Sequence, residues 1–175
     1  MKTFRAWVGS ALVLSAFGTT AYAGPTCGFD LNGTNWVDQC TPATHPIQST
    51  AFMSGVLDGN SFTLTASGIV NVWTSAGSVG RVQSEIYDMT LIGNGITVIA
   101  GDGVADGFQT AGARSEFYTG GAVTQQVNGI LADSYFDLFM EITVQTPGGP
   151  LVLHNNVAQH TQAVIDQIPP ANGTN

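Results

Sequence analysis

Ala132-Asp133-Ser134-Tyr135-Phe136-Asp137-Leu138-Phe139-Met140-Glu141-Ile142-Thr143-Val144 is the stretch whose reading decides the fold. It is the most apolar and aromatic run outside the N-terminus, and three carboxylates, Asp133, Asp137 and Glu141, interrupt it at a spacing of four. That spacing suits one face of a helix, and equally one face of a strand, where alternate residues share a side. The aromatic and β-branched residues Tyr135, Phe136, Phe139, Ile142, Thr143 and Val144 decide for a strand. One face then carries Ser134, Phe136, Leu138, Met140 and Ile142, an almost pure core face. The other carries Asp133, Tyr135, Asp137, Phe139 and Glu141, which is amphipathic. Phe136, Leu138 and Met140 are expected to be buried, with Asp137 and Glu141 at least partly solvated.

Working outward, Pro147-Gly148-Gly149-Pro150 is a turn leading into a strand at residues 151–154. Upstream, strands are predicted at 52–57, 61–66, 69–74, 82–92, 96–100, 108–118 and 122–127. Asp58-Gly59-Asn60 and Gly93-Asn94-Gly95 are hairpin signals between them. In the 82–92 strand, Val82, Ser84, Ile86, Asp88, Thr90 and Ile92 are expected on one face, with Gln83, Glu85, Tyr87, Met89 and Leu91 on the other. Residues 157–168 alternate as a last strand or a short helix, stopped by Pro169-Pro170. Short strands with glycine and asparagine turns indicate an all-β fold: an antiparallel β-sandwich, immunoglobulin-like or jelly-roll-like, in one domain.

The N-terminus reads as an export signal. Lys2 and Arg5 form a positive start, residues 6–17 an apolar stretch, and Ala21-Tyr22-Ala23 a small-x-small cleavage site. The apolar stretch is shorter than the roughly 20 residues that span a bilayer. The expected division is signal peptide 1–23, irregular lead-in 24–46, β-sandwich 47–170 and tail 171–175. All twelve carboxylates lie beyond residue 23, against Arg81 and Arg114 alone, so twelve minus two gives −10 for that part of the chain. Such a surface repels phosphates and anionic head groups, which disfavours nucleic acid as a partner, and membrane insertion is not expected after signal cleavage. Cys27 and Cys40, the only cysteines, are expected to form a disulfide in an oxidising compartment, closing the lead-in. A loop of about 15 residues makes that worth about 3 kcal/mol in the chain-entropy model. Localisation is expected to be extracellular or periplasmic.

Candidate sites are few. A carboxylate pair serves glycoside hydrolysis at about 5–5.5 Å or roughly 6.5–9.5 Å, whereas Asp133–Asp137 and Asp137–Glu141 are about 13 Å apart along a strand. Gly101-Asp102-Gly103-Val104-Ala105-Asp106-Gly107 and Asp30-Leu31-Asn32-Gly33-Thr34 have fragments of calcium loops, which makes Asp102, Asp106 and Asp30 the metal candidates. Both stretches read better as turns, and no metal or cofactor is expected. His154 and His160 approach each other only if their segments pair, and His154-Asn155-Asn156 reads as a turn whose side chains satisfy backbone groups. Trp36 is expected to cover one edge of the core. Trp36, Trp73, Tyr87, Tyr118 and Tyr135 are the candidates for a sugar-stacking platform. Tyr135, Asp137 and Glu141 form the candidate ligand face.

The segments Ala132-Asp133-Ser134-Tyr135-Phe136-Asp137-Leu138-Phe139-Met140-Glu141-Ile142, Leu153-His154-Asn155-Asn156 and Ile168-Pro169-Pro170 resemble a motif set, ADSFFDVFxEI, LHN and IPP, of uncharacterised secreted bacterial domains. Ser84-Glu85-Ile86-Tyr87-Asp88-Met89 is similar to a further segment, TEIVSM, of that group, some of whose members are surface-sorted. The closing Ala171-Asn172-Gly173-Thr174-Asn175 is not read as a sorting segment. The resemblance implies compartment and fold and no activity. The functional expectation is a secreted, non-catalytic structural or interaction domain whose partner is a protein or polysaccharide at the cell surface or in the extracellular matrix. The alternatives are a carbohydrate-binding module and, third, a glycosidase-like enzyme.

Overall fold

Two long strands make the frame. In the computed structural model, which describes residues 13–15, 27–57, 60–105 and 119–170, β3 (Ala43–Leu57) and β4 (Asn60–Thr74) pair antiparallel along their whole lengths. A short β1 (Val13–Ser15) lies along Thr50–Phe52 of β3. β5 (Arg81–Gly93) follows on the free edge of β4. The far edge of β5 is shared by two strands. β6 (Ile96–Ala100) takes residues 89–93 and β7 (Gly120–Gln125) takes residues 81–85. The next layer of pairing repeats the division, with β8 (Ala132–Leu138) on β7 and β9 (Met140–Thr146) on β6. β10 (Gly149–His154) then borders β9, and β11 (Gln159–Ile165) borders β8. The sheet is therefore a meander whose later positions are each filled by two strand segments end to end.

Every ladder is antiparallel, as the turn-rich sequence predicts, and the arrangement admits a sandwich-like layout. The β3–β4, β4–β5, β5–β6, β7–β8 and β9–β10 pairs are joined by short local connections, whereas β8 meets β11 only after β9 and β10 intervene. Immunoglobulin-like and jelly-roll-like orders use Greek-key crossings; among the described residues the ten-stranded sheet follows a meander order. The hairpin at Gly93-Asn94-Gly95 forms as read: Asn94 (φ 47°) and Gly95 (φ 74°) both take the positive φ that a tight primed turn requires. Residues 108–118, read as a strand, and the turn residues 58–59 lie outside the described residues.

Three readings of individual elements change. β3 begins at Ala43, inside the stretch assigned to the irregular lead-in. Pro46 is tolerated there because that part of β3 is paired only with β4, so the missing N–H can face the unpaired side. The alternation of β5 is broken by a bulge: Asn71 pairs with Asp88 but Val72 with Ile86, leaving Tyr87 as the extra residue. Val82, Ser84 and Ile86 are buried before it, and Met89 and Leu91 after it, so one apolar face is kept across the change of phase. The third is the central stretch, which is interrupted at Phe139, although Leu138 and Met140 stay on one side and are both buried.

The apolar side of the sheet carries two clusters. The larger gathers Val70 and Val72 of β4, Met89 and Leu91 of β5, Val98 of β6, and Leu138 and Met140, with Phe136 and Ile142 half-buried against it. The smaller lies under the lead-in, where Trp36, Val37 and the two cysteines pack on Val82, Val123, Ala132 and Ile165. Trp36 is fully buried and its Nε1–H donates to the Ile130 carbonyl at 2.8 Å, which makes it part of a core and not a cover at its edge. The lead-in itself is ordered. β2 (Cys27–Gly28) pairs with β12 (Gln167–Ile168), a four-residue helix α1 (Phe29–Asn32) follows, and Trp36–Gln39 forms a 3-10 turn. The Cys27–Cys40 disulfide is present, with a Cα–Cα distance of 5.1 Å. Gly77 lets this segment lie close to the sheet: a Cβ there would stand 1.8 Å from the Val37 carbonyl oxygen.

Candidate functional site

The outer face of β5, β7, β8 and β11 is a grid whose rows are set by register. One row is Gln83, Ala122, Tyr135, Gln162, and the next is Glu85, Gly120, Asp137, His160. The β7 positions are the small residues Ala122 and Gly120; Gln83 is exposed and Tyr135 and Asp137 are half-buried, whereas Glu85, at the β5 end of the second row, is buried. Tyr135 is anchored from two directions. Its hydroxyl accepts from Arg81 Nη2 at 3.3 Å, across β7. Its ring stacks on the imidazole of His160, with centroids 5.5 Å apart and planes inclined by 27°. His160 Nδ1 is in turn 2.8 Å from Asp137 Oδ1, and the two side chains are 55% and 47% exposed.

Tyr135 thereby separates two shallow depressions. One, of about 480 Å³, lies over β7 between Arg81 and Gln83 on one wall and Tyr135 and Asp137 on the other, with Gly120 and Gly121 in its lining. The other, of about 430 Å³, lies over β8 and β11 beside Asp133, His160 and Gln162. Gly121 is required for the close approach of β7 and β8, since a Cβ there would lie 2.1 Å from the Tyr135 carbonyl oxygen.

Of the expected ligand face, Tyr135 and Asp137 come together and Glu141 does not. Glu141 sits on β9 beyond the break at Phe139, and its carboxylate faces His154 at 3.7 Å. The two histidines are not neighbours, because β10 pairs with β9 and β11 with β8. Asn155 does what the turn reading asked of it. Its Nδ2 donates to the Leu138 and Val157 carbonyls at 2.7 and 2.8 Å, and its Oδ1 accepts from Met140 N–H at 2.7 Å. One side chain thus spans the place where the strand is broken. Arg81 and His160 are the members of the site that strand alternation alone did not reveal. The signal for His160 was the alternation of residues 157–168, which becomes informative only with the β8–β11 register.

The metal candidates are dispersed. Asp102 Oδ1 accepts from Val104 N–H at 2.8 Å, the local turn chemistry expected of it. Asp30 is exposed in α1, and Asp106 lies outside the described residues. Among the described residues no group of three or more His, Cys, Asp or Glu side chains is placed to hold a metal ion. The aromatic set is divided too: Trp36 is core, Tyr87 is the bulge residue, Trp73 is half-buried on β4, and Tyr118 lies outside the described residues. Among the described residues no helix is long and apolar enough to cross a membrane.

Comparison with protein-family models, with curated proteins and with solved structures finds no match. The arrangement has to be read from its own chemistry. It offers planar hydrogen-bonding groups, pre-oriented by each other around one aromatic ring. Ser134 lines the second depression with Tyr135 and His160.

Proposed function

We propose that this is a secreted, non-catalytic interaction domain that works at the cell surface or in the extracellular matrix and makes its contact through the Tyr135 face. It belongs, in this reading, with the secreted bacterial domains whose ADSFFDVFxEI, LHN and IPP motifs it resembles. The observation that carries the proposal is the anchoring of Tyr135 between Arg81 and His160. An aromatic ring held by two partners on a half-exposed sheet face loses little freedom when something binds to it, which is how rigid recognition surfaces work. The Cys27–Cys40 disulfide and the leader-like N-terminus support export. The acidic balance supports partners other than nucleic acid or anionic lipid.

Non-catalytic action is supported by the acids. Asp133 accepts from Gln126 at 2.7 Å, Asp137 faces His160, and Glu141 faces His154, so each carboxylate of the central stretch has a separate partner. The reading is tested with protein recovered from culture medium, labelled, and returned to intact cells and their matrix. Wild-type protein is expected to be retained and Tyr135→Ala to wash off. Equal retention of the two, or no retention of either, rejects the proposal.

A further inference from the structure

We infer that the trough over β7 binds an uncharged polysaccharide segment, with Tyr135 under a sugar ring and Arg81, Gln83 and Asp137 on its hydroxyls. The inference rests on the interaction reading above and names the ligand class.

Three features select that class. The first is shape. Each depression is within the roughly 300–1,000 Å³ of small-molecule pockets, and both are open and share Tyr135. A chain of linked rings can lie across Tyr135 and occupy both, whereas a compact ligand fills only one. The glycines of β7 keep the floor free of long side chains, so a flat ring can come down to the sheet.

The second is the kind of polar group present. A guanidinium offers paired donors, a carboxylate paired acceptors and a primary amide one donor beside one acceptor, each in a fixed planar fork. Such forks match adjacent hydroxyls on a sugar ring, each of which both donates and accepts. Arg81 and Gln83 stand on β5, and Asp137 on β8, so the donors and the acceptor face each other across the trough. The flank of Tyr135 that lines this trough supplies the apolar surface on which the C–H groups of a ring can rest.

The third is charge. Arg81 is opposed by Asp137, so a fully cationic or fully anionic ligand would meet a like charge in the same trough. An acidic polysaccharide would also approach a chain whose formal charge beyond residue 23 is −10, twelve carboxylates against two arginines. An uncharged, polyhydroxylated ligand meets neither penalty.

The test is affinity electrophoresis of the full exported protein in gels containing a neutral β-glucan, a galactomannan, a xylan or, for contrast, alginate. Retardation is expected in at least one neutral gel and absent in alginate. Tyr135→Ala and Gln83→Ala should each weaken the retardation at least fivefold, with Gln83 chosen because it is exposed and its replacement leaves the core untouched. Val152→Ser, on the distant edge strand β10, should leave it unchanged. No retardation in any neutral gel, retardation in alginate alone, or retardation that survives Gln83→Ala and Tyr135→Ala each overturns the inference. If cells still retain the wild-type protein and release Tyr135→Ala while no neutral gel retards it, the interaction reading stands and only the ligand class falls.

Discussion

Asn155→Ala should be one of the more damaging substitutions of a partly exposed residue in this protein. The side chain occupies the gap left where β8 ends at Leu138 and β9 begins at Met140. Opposite that gap the chain must cross from β10 to β11, and it leaves the ladder to do so: His154 pairs with Glu141 and Gln159 with Leu138. The Asn155 amide replaces the missing backbone partners, donating to the Leu138 carbonyl and accepting from the Met140 N–H. Leu138 and Met140 are 0% and 4% exposed, so an alanine would strand two backbone groups in poorly solvated positions. Each such group costs about 1–3 kcal/mol. Because Asn155 itself is partly exposed and water can reach some of the gap, the total should be about 2–4 kcal/mol. For a domain of this size that is a drop in melting temperature of roughly 5–15 °C. Urea denaturation of Asn155→Ala beside Asn156→Ala measures it, the exposed neighbour being expected within about 0.5 kcal/mol of wild type. Asn155→Asp keeps the acceptor and loses the donors, and should fall well below wild type as well. A loss under about 0.5 kcal/mol for Asn155→Ala, at unchanged m-value, would refute the bridging role.

Three further outcomes are expected. Leu138→Ala should cost about 2–5 kcal/mol, as a fully buried leucine does, and Asp137→Asn, at a half-exposed side chain, less than about 1 kcal/mol; chemical denaturation giving the reverse order would invert the face assignment. Gly77→Ala should cost about 1–3 kcal/mol by forcing the lead-in off the sheet, because its Cβ collides with the Val37 carbonyl; an unchanged thermal melt would rule that packing out. His45 is buried, and burial pushes its pKa below the ordinary 6.5. The unfolded chain therefore takes up the proton first, so His45 stabilises the fold fully above pH 6.5, and that contribution is lost as pH falls from there toward the lowered folded value. Wild type and His45→Gln compared by denaturation between pH 8 and 5 should show a steeper acid-side loss for wild type, and parallel curves would contradict it.

Much of the fold is legible in the chain without coordinates. Alternation in the central stretch assigns Leu138 and Met140 to the core and Asp137 to solvent, because in a strand the side is fixed by parity. The Gly93-Asn94-Gly95 turn is legible because few residues accept positive φ. The Cys27–Cys40 bond is legible because the chain has only these two cysteines to pair. Asn155 could be assigned to backbone bonding from its residue type, though not to which groups.

The tertiary structure decided what parity cannot carry. A bulge at Tyr87 adds one residue and reverses the faces of the rest of β5, and no local pattern announces it, since both phases of that strand are mixed. The break at Phe139 put Glu141 on a different strand from Tyr135 and Asp137, although spacing alone placed all three on one face. The site itself depends on cross-strand register. Arg81, Tyr135, Asp137 and His160 span 80 positions of sequence, and they meet only because β7 pairs with both β5 and β8 while β11 pairs with β8. Composition and periodicity report which side of its own strand a residue faces. Which residues become neighbours across strands is decided by ladder pairing, and ladder pairing is a property of the whole folded sheet.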